Sequence, residues 1–394
     1  QGNPVPRADV TIRQVRHEFI FGGQIPFWLI DPAHSDRGAD QQAILRRADE
    51  MFEQVIPSAV TWGWVEPERG ELDFSRYDYA AGWARDHDKR LLLQHIFWGW
   101  NDDTHELSPA WLDGLDEAEL RAALSQHIAD VQANVGQIDG IVALNESLYQ
   151  NIYNDRLGED ITYALFAAAR QAFPDADLFI NEFPWMPEDG SIEFGDLQTP
   201  IENYIAYVQR LDQNGVDFDR VGLQIYIGQD DVAAFGGIES LVAEVDARIN
   251  QFTAETGRSL TITEFGLTAP DHALRAEYLG AFMRMAFANP NVDGFQVFHW
   301  LNEQVPDNAL VLADGSLTQA GQVYYHLVLD EWTTRYQART NDLGEINFSG
   351  IYGEYEIIVR HDNEEYTFTV DLSRDSPGEV ELTLESVIGE NYDG

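Results

Sequence analysis

Short apolar runs alternate with amphipathic stretches along most of the chain, from about Phe19 to Trp332. Each apolar run is followed by a polar loop and then by a stretch with helical periodicity, and the pattern repeats as eight units. The strand-like runs are residues 19–25, 59–64, 90–97, 140–144, 178–181, 221–226, 260–263 and 294–299. Several are apolar on both faces, which is typical of parallel strands covered by helices. We therefore expect an α/β fold in which residues 17–335 form a (β/α)8 barrel, the TIM barrel.

One amphipathic stretch, residues 116–135, shows why the segments between the strands are predicted to be helices. Its apolar residues recur every three or four positions and so form one helix face: Leu120, Leu124, Ile128, Val131 and Val135. Acidic residues stand at its start, and Gly136 marks its end. No glycine-rich nucleotide-binding loop follows the first predicted strand, which favours a closed barrel over an open doubly wound sheet.

Both ends of the chain have a different pattern. Residues 8–12, 345–348, 355–360, 366–372 and 380–384 alternate apolar and polar side chains, with turn residues between the later segments. This alternation is typical of antiparallel strands. Neither end is long enough to form a stable module by itself. We therefore expect residues 1–16 and 336–394 to form one small antiparallel β-sandwich together.

The same two ends carry short motifs. Gly2-Asn3-Pro4-Val5-Pro6-Arg7-Ala8-Asp9-Val10 opens the chain, and Thr340 to Gly344, Phe348 and Gly353-Glu354-Tyr355 follow near its end. In these motifs the chain resembles transthyretin-like and carboxypeptidase-regulatory-like β-sandwiches. The resemblance implies that the barrel is inserted between the first and second strands of the sandwich. The alternative is an N-terminal strand that plugs the barrel floor, with a separate C-terminal tail.

The composition is strongly acidic. The formal net charge is −44 at pH 7, the pI is about 4.2, and Lys89 is the only lysine. Such a surface repels nucleic acids and anionic membranes, so neither is expected as a partner. A charge of this size also destabilises a folded chain unless salt screens it, and the Debye length falls to about 3 Å at 1 M ionic strength. We therefore expect adaptation to high salt; the alternative is an acidic protein of ordinary environments.

Several classes of site and location are excluded or disfavoured. The chain has no cysteine, which excludes disulfides and thiolate metal sites. Its 10 histidines show no His-Glu-x-x-His or comparable spacing, so we expect no catalytic metal and no cofactor. No run approaches the roughly 18 apolar residues of a membrane span, and no signal-peptide pattern is present.

Two short motifs carry the candidate chemistry. Leu144-Asn145-Glu146 and Ile262-Thr263-Glu264-Phe265 close the fourth and the seventh predicted strands. Because the ends of parallel barrel strands share one mouth, we expect the two carboxyl groups to face each other across a cleft. A glycosidic bond breaks through an oxocarbenium-like transition state, which needs a proton donor and a carboxylate. The pair therefore predicts a retaining glycosidase, and the alternative is two surface glutamates at strand ends.

Further motifs have the order and spacing of one enzyme family. They are His17-Glu18-Phe19-Ile20-Phe21-Gly22, Trp62-Gly63-Trp64-Val65-Glu66-Pro67, Gln94-His95, Pro109-Ala110-Trp111, Ile180-Asn181-Glu182 and Val221-Gly222-Leu223-Gln224, together with the two glutamate motifs. From His17 to about Leu329 the chain resembles glycoside hydrolase family ten, the β-1,4-xylanase family. The resemblance implies endo-acting hydrolysis of β-1,4-linked xylan or a related plant β-glycan, with retention of configuration and without a cofactor.

The resemblance also implies roles for single residues. Glu146 matches the acid/base, and Glu264 matches the nucleophile. Asn145 matches an asparagine that binds the sugar 2-hydroxyl, with a strand-end cap as the alternative. His95 matches a histidine that binds the sugar on the glycone side, with a buried structural histidine as the alternative. Gln224 matches a glutamine that supports the region of the nucleophile and the substrate.

Aromatic residues near strand ends are candidates for stacking on sugar rings. Trp300 is the first choice, and Trp98 and Trp62 are further candidates for substrate binding. A core position is the alternative for each of them, because large aromatic side chains dominate cores as well as interfaces.

The chain departs from the family pattern in places that bear on the substrate. The family's Gln-x-His after the sixth strand reads Gln224-Ile225-Tyr226, so Tyr226 is expected to donate the hydrogen bond to Glu264 that a histidine would. The family's Asn and Lys before the strand-two Trp are absent from residues 57–62. A different β-glycan is therefore the alternative substrate, and a carbohydrate-binding barrel without activity is the alternative from another class. A polymeric substrate makes an extracellular location the expectation.

Overall fold

The computed structural model describes residues 3–31, 40–57, 59–100, 107–148, 151–184, 198–301, 304–374, 376 and 379–384. Contacts within the chain divide it into two compact units, one formed by residues 20–327 and the other by residues 1–19 together with 328–394. These boundaries fall a few residues away from the expected limits, which were after residue 16 and before residue 336.

The elements of the described residues are as follows. The strands are β1 (Asp9–His17), β2 (Ile20–Gln24), β3 (Gln54–Ile56), β4 (Arg90–Leu93), β5 (Phe97–Trp98), β6 (Gly140–Asn145), β7 (Asp177–Glu182), β8 (Arg220–Gly228), β9 (Leu260–Thr268), β10 (Val292–Val297), β11 (Arg335–Arg339), β12 (Gly353–His361) and β13 (Glu364–Leu372). The helices are α1 (Phe27–Ile30), α2 (Gln41–Met51), α3 (Trp62–Val65), α4 (Ser75–Asp86), α5 (Glu117–Val135), α6 (Ile152–Leu157), α7 (Asp160–Ala172), α8 (Gln198–Gln213), α9 (Gln229–Ala234), α10 (Ile238–Thr256), α11 (His272–Ala288) and α12 (Gln319–Tyr325). Within the described ranges, no helix combines the length and apolar character needed to cross a bilayer.

Strands β2 to β10 form a closed parallel barrel in residues 20–327. Their order around the sheet is β4-β3-β2-β10-β9-β8-β7-β6-β5, and a pairing between β4 and β6 closes it. Strands β4 and β5 are two segments of one barrel position, since both pair with β6. Eight strand positions therefore alternate with helices, which confirms the predicted (β/α)8 fold.

The inside of the barrel is packed with side chains. Ile56, Leu92, Val142 and Phe179 come from four different strands and form one cluster with Phe298, each with at most 6% of its surface exposed. Full burial of such a side chain contributes roughly 1.5–3 kcal/mol. This layer fixes where the strand ends lie, and the ends of barrel strands carry the functional side chains.

The prediction that residues 59–64 form the second barrel strand is wrong, because that strand lies earlier in the chain, at Gln54–Ile56. The strand is β3, and Trp62–Val65 is instead the helical turn α3, in which the N–H groups of Trp64 and Val65 donate to the carbonyl of Thr61. The residues of β3 are all buried, so they give no apolar-polar alternation by which a three-residue strand could be recognised. The other predicted barrel strands overlap observed ones.

Helix α5 has the limits that its sequence predicts. The Asp116 carboxyl accepts a hydrogen bond from the N–H of Glu119 at 2.9 Å, and the Glu119 carboxyl accepts one from the N–H of Asp116 at 3.0 Å. This reciprocal capping satisfies two N–H groups at the helix start. At the other end Gly136 has φ 71°, in the left-handed region that favours glycine.

The second unit contains one four-stranded antiparallel sheet among its described residues, in the order β11-β1-β12-β13. Strand β1 lies between β11 and β12, so that Ile12 is opposite Tyr336 on one side and Ile357 on the other. Alternate residues form its buried cluster: Ala8, Val10, Ile12, Tyr355, Ile357 and Val359. Strand β1 precedes the barrel in the chain and its partners follow it, which is the pairing that the insertion hypothesis predicts.

The C-terminal strands were predicted less well. Residues 345–348 and 380–384 are not assigned to strands, and the edge strand β11 was not expected. The side chains of β11 are mostly exposed and include two arginines, so its sequence lacks the alternation used for prediction. Phe348 and Leu382 still pack against the buried cluster. The second sheet of the expected β-sandwich is not among the elements of the described residues.

Candidate active site

Glu146 follows strand β6 at the barrel mouth and is 6% exposed. Its φ of 53° lies in the left-handed region, where a residue other than glycine persists only if its surroundings hold it there. Two neutral groups bind its carboxyl: Trp98 Nε1 donates to Oε2 at 2.6 Å, and Gln224 Nε2 donates to Oε1 at 2.9 Å. Both oxygens of Glu146 are therefore fixed in direction.

Glu264 lies within strand β9 and is 7% exposed. The Tyr226 hydroxyl donates to its Oε2 at 2.6 Å, while Asn181 Nδ2 and Gln94 Nε2 each donate to its Oε1 at 3.1 Å. An ionised carboxylate can only accept hydrogen bonds, so three donors favour its charged form. Glu264 is therefore equipped to be the ionised member of the pair.

The two carboxyls have raised and different pKa values. Burial, together with the charge of Glu264, raises the pKa of Glu146 to about 8. Burial raises the pKa of Glu264 to about 7, and the hydrogen bonds to its carboxylate oppose that rise. Glu146 thus keeps its proton at a pH at which Glu264 has lost its own. Two carboxyls whose environments separate their pKa values in this way can divide the roles of acid and base.

Asn181, near the end of strand β7, links the two sides of the site. Its Nδ2 donates to Asn145 Oδ1 at 2.9 Å and to Glu264 Oε1 at 3.1 Å, and its own side chain is fully buried. Asn145 directly precedes Glu146 in the chain. Asn181 therefore joins the strand end that carries one carboxyl to the other carboxyl. Asn145 lies where the resemblance requires it, and its contact with a sugar hydroxyl stays a prediction.

His95 and Trp98 pack edge to face, with their ring centroids 4.6 Å apart. His95 is 4% exposed, and burial lowers the pKa of its imidazole to about 3, so the ring is neutral. Its Nδ1 is buried and has no hydrogen-bond partner in the described part of the chain. Trp98 is half-buried and donates its indole N–H to Glu146. The role of His95 in sugar binding stays a prediction.

Two tryptophans proposed as sugar-binding residues are core residues instead. Trp300 is fully buried, packs edge to face on Phe52, and donates its N–H to the carbonyl of Gln24 at 2.5 Å. Trp62 is 1% exposed and stacks on His127 with their centroids 4.3 Å apart. Neither ring has a free face for a sugar, so both assignments are wrong. The prediction of stacking on a sugar rested on residue type alone, and it fails because neighbouring core side chains bury both rings.

Gln224 and Tyr226 lie on strand β8, beside the strand that carries Glu264. The predicted hydrogen bond from Tyr226 to Glu264 is present. The amide of Gln224 donates to Glu146, and its predicted support of the nucleophile region stays a prediction. In the sheet Gln224 is the backbone partner of Glu264.

Sequence reasoning did not assign roles to three polar side chains at this mouth: Gln94, Asn181 and Glu182. Gln94 and Asn181 bind Glu264, and Glu182 is a third carboxyl with no exposed surface. Each follows an apolar run, within or directly after the third or fifth strand-like segment. A polar residue in that position of a barrel strand was the signal that could have identified them.

The closed (β/α)8 barrel holds two buried carboxyls at its mouth, one after the fourth and one in the seventh strand position, and a pair of carboxyls is what glycoside hydrolysis requires. The family model described as Glycosyl hydrolase family 10 matches residues 27–312. The chain therefore belongs to glycosyl hydrolase family 10.

Curated relatives share about a quarter of their aligned residues with this chain. Anti-sigma-I factor RsgI6 from Acetivibrio thermocellus is 27% identical over 354 residues, which are 85% of this chain and 43% of that protein. Endo-1,4-beta-xylanase 2 from Arabidopsis thaliana is 26% identical over 382 residues, which are 96% of this chain and 33% of that protein. The chain thus spans less than half the length of these curated relatives.

Solved structures share the fold. Native xylanase 10B from Thermotoga maritima has 17% sequence identity and a TM-score of 0.63, covering 80% of this chain and 96% of that chain. Xylanase 10B from Thermotoga petrophila RKU-1, solved in complex with xylobiose, has 17% identity and a TM-score of 0.64. The match covers 80% of this chain and 95% of that chain. At this level of identity the two likenesses support the barrel fold.

Proposed function

We propose that this chain is an endo-acting, retaining glycoside hydrolase that cleaves β-1,4-linked xylan or a related plant β-glycan. The observation that carries the proposal is the pair of buried carboxyls, Glu146 and Glu264, held at one barrel mouth by neutral donors and differing in pKa. Membership of the family and the xylanase names of several relatives support the substrate class. A net charge of −44 favours an uncharged glycan over an anionic one.

In the first step the ionised carboxylate of Glu264 attacks the anomeric carbon of the bound sugar. The bond from that carbon to the leaving oxygen breaks, and Glu146 transfers its proton to this oxygen. The product is an ester between Glu264 and the sugar. The donors on Glu264 hold the attacking carboxylate in place, so that its orientation is set before the substrate arrives.

In the second step Glu146, now ionised, takes a proton from a water molecule whose oxygen attacks the same carbon and releases Glu264. Two inversions give net retention of configuration. In the ester intermediate Glu264 carries no charge, so the repulsion that helps to raise the pKa of Glu146 is absent. The pKa of Glu146 therefore falls when it must act as a base.

The experiment is a product analysis on xylan, arabinoxylan, mixed-linkage β-glucan and cellulose, repeated over a salt series. The variants are E146A and E264A, with E117A, an exposed glutamate on α5, as the matched control. We expect oligosaccharides whose new ends are initially β anomers, with turnover lost in E264A and retained in E117A. Undiminished hydrolysis by E264A would contradict the proposal. Binding of a glycan by the wild-type chain without any turnover would favour a binding protein instead.

Two further parts of the proposal concern the environment. A polymer is too large to enter a cell, so we propose an extracellular location. The charge of −44 with a single lysine supports activity at high salt.

A further inference from the structure

Glu182 is a buried carboxyl that the proposed reaction does not use. It ends strand β7, directly after Asn181, and no part of its surface is exposed. Within the described residues, no basic side chain forms an ion pair or a hydrogen bond with it. Burying a carboxyl group without an ion partner costs free energy, so its hydrogen bonds indicate why it is kept in the core.

The hydrogen bonds of Glu182 go to the two residues that follow Glu146. Its Oε1 accepts from the N–H of Leu148 at 2.9 Å and from the Ser147 hydroxyl at 3.2 Å. The Ser147 hydroxyl also forms a hydrogen bond with the hydroxyl of Tyr207, on helix α8. The turn after Glu146 is thus tied to strand β7 and to a helix outside the barrel.

The backbone before this turn is held by the same strand. The N–H of Glu146 donates to the carbonyl of Asn181 at 3.0 Å. Glu146 therefore lies between two attachments to β7, one at its own N–H and one through Glu182. Its left-handed φ of 53° needs such constraint, because without it the backbone would relax to an ordinary conformation and turn the side chain away.

We propose that Glu182 is a positioning residue for Glu146: its carboxyl group holds the backbone of residues 147–148 and so fixes the direction from which Glu146 protonates the leaving group. This inference rests on the proposed function. It adds to the proposed catalytic pair a third carboxyl, which acts through the backbone beside Glu146 and not on the reacting atoms.

Glu182 performs this role as a neutral acid. Burial, followed by the charge of Glu146, raises its pKa well above the ordinary value. Both hydrogen bonds end on Oε1, whereas Oε2 has no partner among the described residues. The proton therefore belongs on Oε2, and Oε1 acts as a carbonyl acceptor. A glutamine keeps that carbonyl in the same shape, whereas a methionine of similar size does not.

The test compares E182Q with E182M, and uses E66M as a matched control. Glu66 is also buried, and like Glu182 it accepts one hydrogen bond from a side chain and one from the backbone. Its donors are the indole N–H of Trp62 and the backbone N–H of Gly70. The kcat/KM, which reports the first step, is measured on xylan and on 2,4-dinitrophenyl β-xylobioside. The dinitrophenolate leaves without protonation, so only xylan needs the proton of Glu146, a contribution typically worth about 10²–10⁴-fold.

We expect E182M to lose at least about tenfold in kcat/KM on xylan and no more than about threefold on the activated substrate. E182Q should restore xylan hydrolysis and leave the alkaline limb of the pH profile in place. E66M should lower thermal stability without changing the ratio between the two substrates. Equal losses of E182M on both substrates, or none, would overturn the proposal. A downward shift of the alkaline limb in E182Q would show that Glu182 is charged, and would overturn its role as a neutral acid.

A structural readout separates this inference from the proposed function. If the wild-type chain hydrolyses no glycoside, the proposed function fails, and crystal structures of E182M and E182Q test the positioning directly. We expect φ of Glu146 to leave the left-handed region in E182M and its hydrogen bond with Gln224 to be lost, with both kept in E182Q. An unchanged Glu146 in E182M would overturn the proposal. If E182M does not fold, S147A, which removes one of the two bonds, takes its place with the same expected direction.

Discussion

Replacing Tyr226 by phenylalanine removes one hydrogen bond from the carboxylate of Glu264 and should move the acidic limb of the pH profile. The bond is 2.6 Å long, and its acceptor is 7% exposed. Burial raises the pKa of Tyr226 well above its ordinary value, so the hydroxyl remains a donor at any working pH. Asn181 and Gln94 stay as the remaining donors to Glu264.

The magnitude follows from the charge of the acceptor. A hydrogen bond to a charged group is worth about 1.5–3 kcal/mol. Since about 1.4 kcal/mol corresponds to one pKa unit, losing it should raise the pKa of Glu264 by about one to two units. The sign is fixed, because the lost bond stabilised the ionised form. The pKa of Glu264, about 7 in the wild type, would then reach that of Glu146, about 8.

The assay is the pH dependence of kcat/KM for xylo-oligosaccharides, whose cleavage needs the proton of Glu146 and therefore shows both limbs. In Y226F the acidic limb should move up by about one to two units, and the maximum should fall because the limbs meet. The matched control is Y204F, which removes a buried hydroxyl that donates to the carbonyl of Gly222 at 2.7 Å. Y204F should lower stability without moving either limb. An unmoved acidic limb in a folded Y226F protein would refute the reasoning.

Three further predictions concern charge, packing and salt. In E264Q the repulsion on Glu146 is gone, so a 13C NMR titration should give Glu146 a pKa below about 8, and an unchanged or higher value would contradict the coupling. W300F loses the bond to the carbonyl of Gln24, so the free energy of unfolding should fall by about 1–3 kcal/mol while KM for xylo-oligosaccharides stays within about twofold; a large rise in KM alone would contradict a core role. With a net charge of −44, thermal unfolding midpoints should rise between low salt and about 2 M KCl, and no rise would remove the salt hypothesis.

The barrel and its two carboxyls could be predicted because both leave local signals. An apolar run that ends in Asn-Glu or Thr-Glu identifies a strand and the side chain at its end, and closure of the barrel then brings Glu146 and Glu264 to one mouth. Helix α5 is likewise predicted from its own apolar stripe, the acidic residues at its start and Gly136 at its end. Each of these features depends on neighbours a few positions away in the chain.

The remaining features depend on contacts between distant parts of the chain. Gln94 and Glu264 are 170 positions apart, and nothing near either residue indicates that they meet. Trp62 and Trp300 are suitable in type for stacking on a sugar, and only the rings that pack on them show that they are buried. Strand β3 is short and wholly buried, so it lacks the periodicity that identifies strands.

The most direct measurement is to trap the ester. Incubation with 2,4-dinitrophenyl 2-deoxy-2-fluoro-β-xylobioside should release dinitrophenolate and leave the fluorinated sugar on the enzyme, because fluorine slows both steps whereas the good leaving group speeds only the first. Mass spectrometry of the intact protein and of its peptides should then show one sugar, attached to Glu264. Hydrolysis of β-glycans by a protein that forms no adduct, or forms it on another residue, would contradict double displacement through this pair.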